Sequence, residues 1–345
     1  MSRYHIEITT RVFHFKEPAG TSRGVYHTRT SRFVRLTCDD MPGIAGVGEC
    51  APLPRLSCDD VPDYDAVLRR HCDDVCARGS IDVDALRDWP SMLFGLETAW
   101  RQLHAGGSTA LSATPFARGQ EGISINGLVW MGDFDTMAAR LEQKLAQGFS
   151  CVKIKIGAID FADEIALIAR LRDRYGSDRI ELRVDANGAF SPTEALDRLR
   201  QLALYDIHSI EQPIMAGQWQ EMARLCASSP LSIALDEELI GVNTLERKRA
   251  LLDTIAPRYI ILKPSLHGGM AGCREWIDLA RERGIGSWIT SALESNVGLN
   301  AIAHLAAEVY GPAITMPQGL GTGQLFTDNI DMPITICGEK LWYLP

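Results

Sequence analysis

Six charged residues in the middle of the chain have the types and spacing to move a proton beside a metal ion: Lys153, Lys155, Asp185, Glu211, Asp236 and Lys263. Asp185, Glu211 and Asp236 are hard oxygen donors, a set that suits Mg²⁺, or Mn²⁺ in its place, much better than Zn²⁺. Without a cation or arginine partners, three converging carboxylates would repel and raise one another's pKa values. Lys155 and Lys263 flank the series as candidate proton-transfer groups. An ammonium is useless as a base, so burial and the neighbouring Lys153 are expected to favour the neutral amine. A cation on a substrate carboxylate would stabilise the enediolate formed when an α-proton leaves, so base and electrophile would serve one step. Asn187 and Gln212 closely follow two of the carboxylates, placed to orient them or to hold water.

The spacing shows which elements must carry these groups. From Lys155 to Lys263 the charges recur every 25 to 30 residues, about one strand, one helix and two loops. They fall at or near the ends of short apolar runs at 151–156, 180–185, 207–211, 232–236 and 258–263. Residues two apart on a strand share a face, so Arg183, Asp185 and Asn187 point one way, and Leu182, Val184 and Ala186 the other. Charge at successive strand ends fits a barrel of alternating strands and helices with its active site at that rim. Helical patterns at 134–147, 161–175, 191–204, 217–227, 241–249, 269–282 and 297–309 separate the strands, the fifth weakened by Gly241 and Asn243. Further strands at 123–130, 287–292 and 312–316 complete the ring, although Pro312 removes a donor near the start of the last. The expected fold class is α/β, a modified TIM barrel (β/α)7β over residues 119–323.

Residues 1–118 read as a separate α+β capping domain. Strands at 4–15, 25–36 and 43–49 are joined too closely for helical crossovers and should form an antiparallel meander. Helices follow from 61 and over 91–103, with Asp60 or Ser91 as candidate caps. The small polar segment at 18–24 is either a plain hairpin connection or a mobile flap over a neighbouring site. Residues 324–345, with a strand-like stretch at 332–336, are expected to pack back on the capping domain. A balance of 35 basic against 44 acidic residues, net −9, excludes a global attraction to nucleic acid or acidic membranes. No stretch reaches the 18 apolar residues of a membrane span and no leader pattern is present, so a cytoplasmic protein is expected. Nine cysteines show no zinc-type spacing and read as reduced thiols.

In Lys153-Ile-Lys155, Asp185-Ala-Asn187, Glu211-Gln-Pro213, Asp236-Glu237 and Lys263-Pro264 the chain resembles the enolase superfamily, specifically its muconate-lactonizing subgroup, over nearly its whole length. The resemblance implies that Lys155 abstracts a proton and that Lys153 binds the substrate carboxylate or tunes the amine. It makes Asp185, Glu211 and Asp236 the Mg²⁺ ligands and sets Lys263 on the other side of the substrate. Within the subgroup the chain looks most like the o-succinylbenzoate synthase family, on Arg183, Ser291-Ala-Leu-Glu-Ser295 and a loop at 319–323. That family dehydrates 2-succinyl-6-hydroxy-2,4-cyclohexadiene-1-carboxylate to 2-succinylbenzoate in menaquinone biosynthesis. The implied partner is a small carboxylate substrate touched by Arg183 and Ser291, with no nucleic acid and no membrane. The lack of Asp-x-Asp after the eighth strand weighs against a dipeptide epimerase. N-succinylamino acid racemase activity stays open, as do homo-oligomerisation, the capping-domain contacts and the roles of Glu49, Glu237, Glu294 and His267.

Overall fold

The computed structural model describes residues 3–345 apart from Ser22, Arg23, Met131, Ala158 and Ala313. Strands β1 (Tyr4–Thr21), β2 (Gly24–Cys38) and β3 (Ala45–Cys50) form the expected antiparallel meander, in the order β1-β2-β3. The first two strands run further than the sequence suggests. Ala19 pairs with Tyr26, Gly20 with Val25 and Thr21 with Gly24, beyond an irregularity between His14 and Ala19. The 18–24 segment is therefore mostly paired strand, held by buried Ala19 and Tyr26 in an apolar cluster with Leu53, Leu293 and Phe326. Of the candidate flap, Ser22 and Arg23 lie outside the described residues.

Helices α1 (Tyr64–Arg78) and α2 (Pro90–His104) complete this unit. Neither candidate cap is used as expected. Asp63, not Asp60, precedes α1, and α2 opens on Pro90, whose fixed φ suits a first turn. Ser91 instead donates its N–H and hydroxyl to Asp59, at 2.8 and 2.6 Å. Helix α2 lies directly on β3 because Gly46 and Gly48 carry no side chain; a Cβ at either would stand 1.8 Å from a helix carbonyl.

The rest alternates: β4 (Ile123–Ser124), β5 (Gly127–Val129), α3 (Phe134–Ala146), β6 (Cys151–Lys155), α4 (Phe161–Arg174), β7 (Glu181–Asp185), α5 (Pro192–Leu202), β8 (Ser209–Glu211) and α6 (Trp219–Ser228). It continues with β9 (Ile233–Leu235), α7 (Leu245–Ile255), β10 (Tyr259–Leu262), α8 (Gly269–Glu282), β11 (Gly286–Ile289), α9 (Asn296–Tyr310), β12 (Ile334–Cys337) and β13 (Lys340–Tyr343). Strands β5 to β11 make a seven-stranded parallel sheet in sequence order, curled and wrapped by helices. Val152, Ile154, Leu182 and Val184, on the faces opposite the charged residues, are fully buried in the apolar layer shared with those helices. This is the modified TIM barrel with a capping unit expected from the sequence. The weak fifth helix forms a turn late, at Leu245, where the Thr244 hydroxyl accepts the Arg247 N–H at 3.3 Å.

Three expectations are corrected. The 123–130 strand splits, because Ile123 and Ser124 pair with Leu341 and Lys340 of β13 and only Gly127–Val129 joins the barrel. The 312–316 segment supplies no strand among its described residues. The ring is closed later, by Gln318 and Gly319 bridging to Ile125 and Thr290. Gln318 N–H donates to Ser124 O at 2.8 Å and Gly319 N–H to Ile289 O at 2.9 Å; Pro317, like Pro312, has no N–H to give. The C-terminal segment also divides. Phe326 bridges to Phe15 and Lys16 N–H donates to Leu325 O at 2.8 Å, beside the capping sheet, but the β12–β13 hairpin joins β4 instead.

Candidate active site

The barrel register brings the six charged residues together. Lys155 pairs with Asp185 across β6 and β7, and Asp185 with Glu211 across β7 and β8. Asp236 and Lys263 follow the last residues of β9 and β10. Lys153 Nζ donates to Asp185 Oδ2 at 3.0 Å and to Glu211 Oε2 at 2.9 Å. Lys155 Nζ donates to the same Asp185 oxygen at 2.9 Å and to Asn187 Oδ1 at 2.7 Å, while Lys263 Nζ bonds Asp236 Oδ2. Asn187 passes the network on, its Nδ2 donating to Glu237 Oε1 at 2.9 Å. The Gln212 amide oxygen accepts the N–H groups of Asp236 and Glu238, both at 3.2 Å, so it ties the end of β8 to the turn that carries Asp236. Asn187 and Gln212 have φ of 45° and 40°, a left-handed backbone uncommon outside glycine that clusters at functional sites.

These carboxylates are fully enclosed, and their environments push them apart. Burial works upward on Asp185, but Lys153 and Lys155 outweigh it and hold it well below the usual carboxylate range. Burial, with Asp185 and Asp236 adding to it, pushes Glu211 up to about 8. Burial also raises Asp236 and Glu237. At Lys153 and Lys263 burial pulls downward, yet the surrounding carboxylates prevail and raise both amines. At Lys263, one of the two candidate proton-transfer groups, ion pairing thus reverses the expectation that burial would favour the neutral amine. Among the described residues no cluster of three or more metal-type ligands is ready-made, since each of the three carboxylates is drawn onto a lysine. The donor set nevertheless fits a divalent cation. Glu211 Oε1, Asp236 Oδ1 and Glu237 Oε2 are buried carboxylate oxygens with no hydrogen-bond partner, an arrangement costly without compensating charge. Lys153 Nζ, bonded to both Asp185 and Glu211, supplies positive charge to this row.

Above the carboxylates lies a cavity of about 350 Å³ lined by Lys153, Lys155, Lys263, Trp288, Ser291 and Leu293, with Lys16 to Ala19 of β1 on its rim. Its size suits a small ligand. A larger open hollow of about 540 Å³, near the start of β9, contains none of the six charged residues. Ser291 lines the site and shares a 2.5 Å hydroxyl contact with Thr322. Arg183 does not line it. Its guanidinium turns below the lysines, donating to Glu181 at 2.7 Å and Pro317 O at 2.9 Å, and lies 4.4 Å from the Trp288 ring. The substrate contact expected of Arg183 is not seen in the cavity lining: Nε and Nη1 are engaged within the barrel, and Nη2 is buried with no hydrogen-bond partner among the described residues.

The residues left open find places. Glu49, on β3, accepts the Ser295 N–H and hydroxyl at 3.0 and 2.6 Å and the Gly298 N–H at 3.0 Å, fastening the capping sheet to the start of α9. Glu294 accepts from Ala292 N–H at 2.6 Å, and His267 Nδ1 accepts from Lys263 N–H at 2.9 Å. Sequence reasoning missed Trp288, Leu53 and the buried Arg29, and it had Leu293 only as part of the 291–295 motif. Of those missed, only Arg29 left a signal, an arginine alternating with Ser31 and Phe33 on one strand face.

The chain from 136 to 328 matches the family model described as enolase C-terminal domain-like. Over 95% of its length, and 95% of the relative's, it is 47% identical to the o-succinylbenzoate synthase of Desulfotalea psychrophila. The crystal structure of MenC from Desulfotalea psychrophila superposes with a TM-score of 0.84 and 41% identity, covering 99% of this chain and all of that one. The L-Ala-D/L-Glu epimerase of Bacillus subtilis is 27% identical over 89% of this chain and 85% of its own.

Proposed function

The chain belongs to the enolase superfamily, in its muconate-lactonizing subgroup, and from that premise we propose that it is an o-succinylbenzoate synthase of menaquinone biosynthesis. It would dehydrate 2-succinyl-6-hydroxy-2,4-cyclohexadiene-1-carboxylate to 2-succinylbenzoate. The superfamily supports lyase or isomerase chemistry in general; the likeness to a named synthase along nearly the full chain is the observation that carries the finer reading.

In this reading Asp185, Glu211 and Asp236 hold Mg²⁺, with Mn²⁺ as a substitute. When bound, the cation supplies positive charge to the substrate carboxylate as negative charge develops there. Lys153 binds or orients that carboxylate. Lys155 Nζ removes the α-proton, and Asn187, bonded to Lys155 at 2.7 Å, aims the amine. The electron pair left on the ring expels the hydroxyl group, and the ammonium formed on Lys155 returns its proton so that water departs, a syn elimination. Lys263, across the ring of strands from Lys155, stabilises the π system by its charge. Ser291 contacts the succinyl end.

A second reading, N-succinylamino acid racemase, is favoured by the presence of both Lys155 and Lys263 in one cavity, since racemisation requires a base on each side of the α-carbon. Purified enzyme with Mg²⁺ in deuterated water separates the two. A synthase dehydrates the cyclohexadiene acid rapidly and exchanges N-succinylamino acids slowly or not at all. Efficient inversion of the amino acid with no measurable dehydration would reverse the ranking.

A further inference from the structure

Arg29, on β2, is 1% exposed, and its guanidinium is solvated by backbone carbonyls. Nη1 donates to Pro52 O at 2.5 Å, Nη2 to Ala51 O at 2.5 Å and Ala292 O at 3.4 Å, and Nε to Leu293 O at 3.3 Å. These carbonyls belong to two segments far apart in the chain, the turn after β3 and the loop between β11 and α9. Leu53, just beyond the first pair, and Leu293, in the second, both line the cavity and share one apolar cluster.

Leu293 has a φ of 64°, a conformation that places its Cβ unfavourably and persists only where the surroundings enforce it. The loop is held on both sides. Glu294 accepts the Ala292 N–H at 2.6 Å and the Ser265 hydroxyl, and Glu49 holds Ser295. An arginine cannot shed its charge, and a buried charge is costly unless its donors are satisfied. Arg29 therefore fixes both segments to one point: neither can move without leaving a buried N–H unpaired. With Ala292 and Trp130, these leucines give the cavity an apolar side, whereas Lys153, Lys155, Lys263, Asn187 and Glu237 are among its polar groups.

We propose that Arg29 is a positioning residue for substrate specificity, holding Leu53 and Leu293 as an apolar wall that recognises the hydrocarbon flank of a carboxylate substrate. The inference rests on the proton-transfer site proposed above and extends it to the capping unit.

The test uses the full-length enzyme and reads steady-state kinetics, thermal melting and Mg²⁺ binding together. Arg29→Lys keeps the charge but loses the guanidinium fork; it is expected to raise KM by about 10-fold or more, the scale of a lost apolar contact, while Mg²⁺ affinity stays unchanged and kcat changes less than KM. Leu293→Gly adopts a φ of 64° without strain and keeps the fold, yet raises KM similarly, so it reports on the wall even if Arg29 variants do not fold. The double variant is expected to bind no worse than the poorer single variant, because the two positions act as a unit. Unchanged KM in Leu293→Gly, fully additive effects, or a loss confined to kcat would each overturn the proposal. If the wild type inverts N-succinylamino acids but does not dehydrate the cyclohexadiene acid, the synthase reading falls alone. The same variants are then scored by KM on the amino acid.

Discussion

Glu97 offers a prediction whose sign depends on which of two opposing effects is larger. This α2 side chain reaches the start of α8, where it accepts the Met270 N–H at 2.5 Å and the Ala271 N–H at 3.0 Å. A helix N-terminus favours a carboxylate, but burial is the largest influence and pushes Glu97 from 4.5 up to about 7. The folded protein therefore binds this proton more tightly than the unfolded chain. The associated stability is fully present below about pH 4.5 and is lost as pH rises through about 7. That shift corresponds to about 3 kcal/mol, an upper bound because the side chain is only partly buried. For 345 residues it amounts to at most about 4 °C in Tm. Glu97→Gln keeps an acceptor oxygen and cannot ionise. Melting both proteins from pH 4.5 to 8 cancels the titration of other groups in the difference. The variant should gain on the wild type across that range and the difference should level off above it. A constant difference would mean that the helix donors offset burial, and a wild type that gains on the variant with rising pH that they outweigh it; either would refute the reasoning.

Other consequences are simpler to read. Glu211→Gln removes one charge from the carboxylate row and should weaken Mg²⁺ binding by about 10-fold or more with the fold retained; calorimetry showing unchanged affinity would count against the metal assignment. Gly319→Ala would set a Cβ 2.2 Å from Thr290 Oγ1 and 2.5 Å from its Cβ, so overpacking at the barrel closure should cost about 1–3 kcal/mol in denaturant unfolding, whereas unchanged stability would contradict that closure. Bound 2-succinylbenzoate should slow hydrogen exchange at the hairpin residues 19–21 and 24–26 beside the cavity; equal protection with and without product would leave the hairpin a fixed wall.

What the sequence revealed, and what it concealed, follows from how far each signal reaches along the chain. Asp185, Glu211, Asp236 and Lys263 were legible because each closes an apolar run and strand periodicity sets its face. The eighth strand was not, since Gln318 and Gly319 close the ring through backbone bonds to Ser124 and Ile289, with no apolar run to mark them. Arg183 shows the limit of face arguments: alternation places it inside the barrel but does not say whether its long side chain leans toward the rim or toward Glu181. The pairing of β4 with β13 spans most of the barrel sequence, and Arg29 binds carbonyls, which every residue has. The first leaves no local pattern, and the alternation of Arg29 with Ser31 and Phe33 shows its face but not its partners.

The central claim is that Lys155 removes the substrate α-proton in a dehydration. It is tested most directly by following aromatisation of the cyclohexadiene acid, with hydrogen or deuterium at the α-carbon, by wild type and Lys155→Ala under the same Mg²⁺ conditions. The account predicts rapid formation of 2-succinylbenzoate by the wild type, slower single-turnover conversion of the deuterated acid, and loss of conversion in a folded Lys155→Ala that still binds Mg²⁺. Conversion by that variant at the wild-type rate, or no conversion by the wild type, would contradict it.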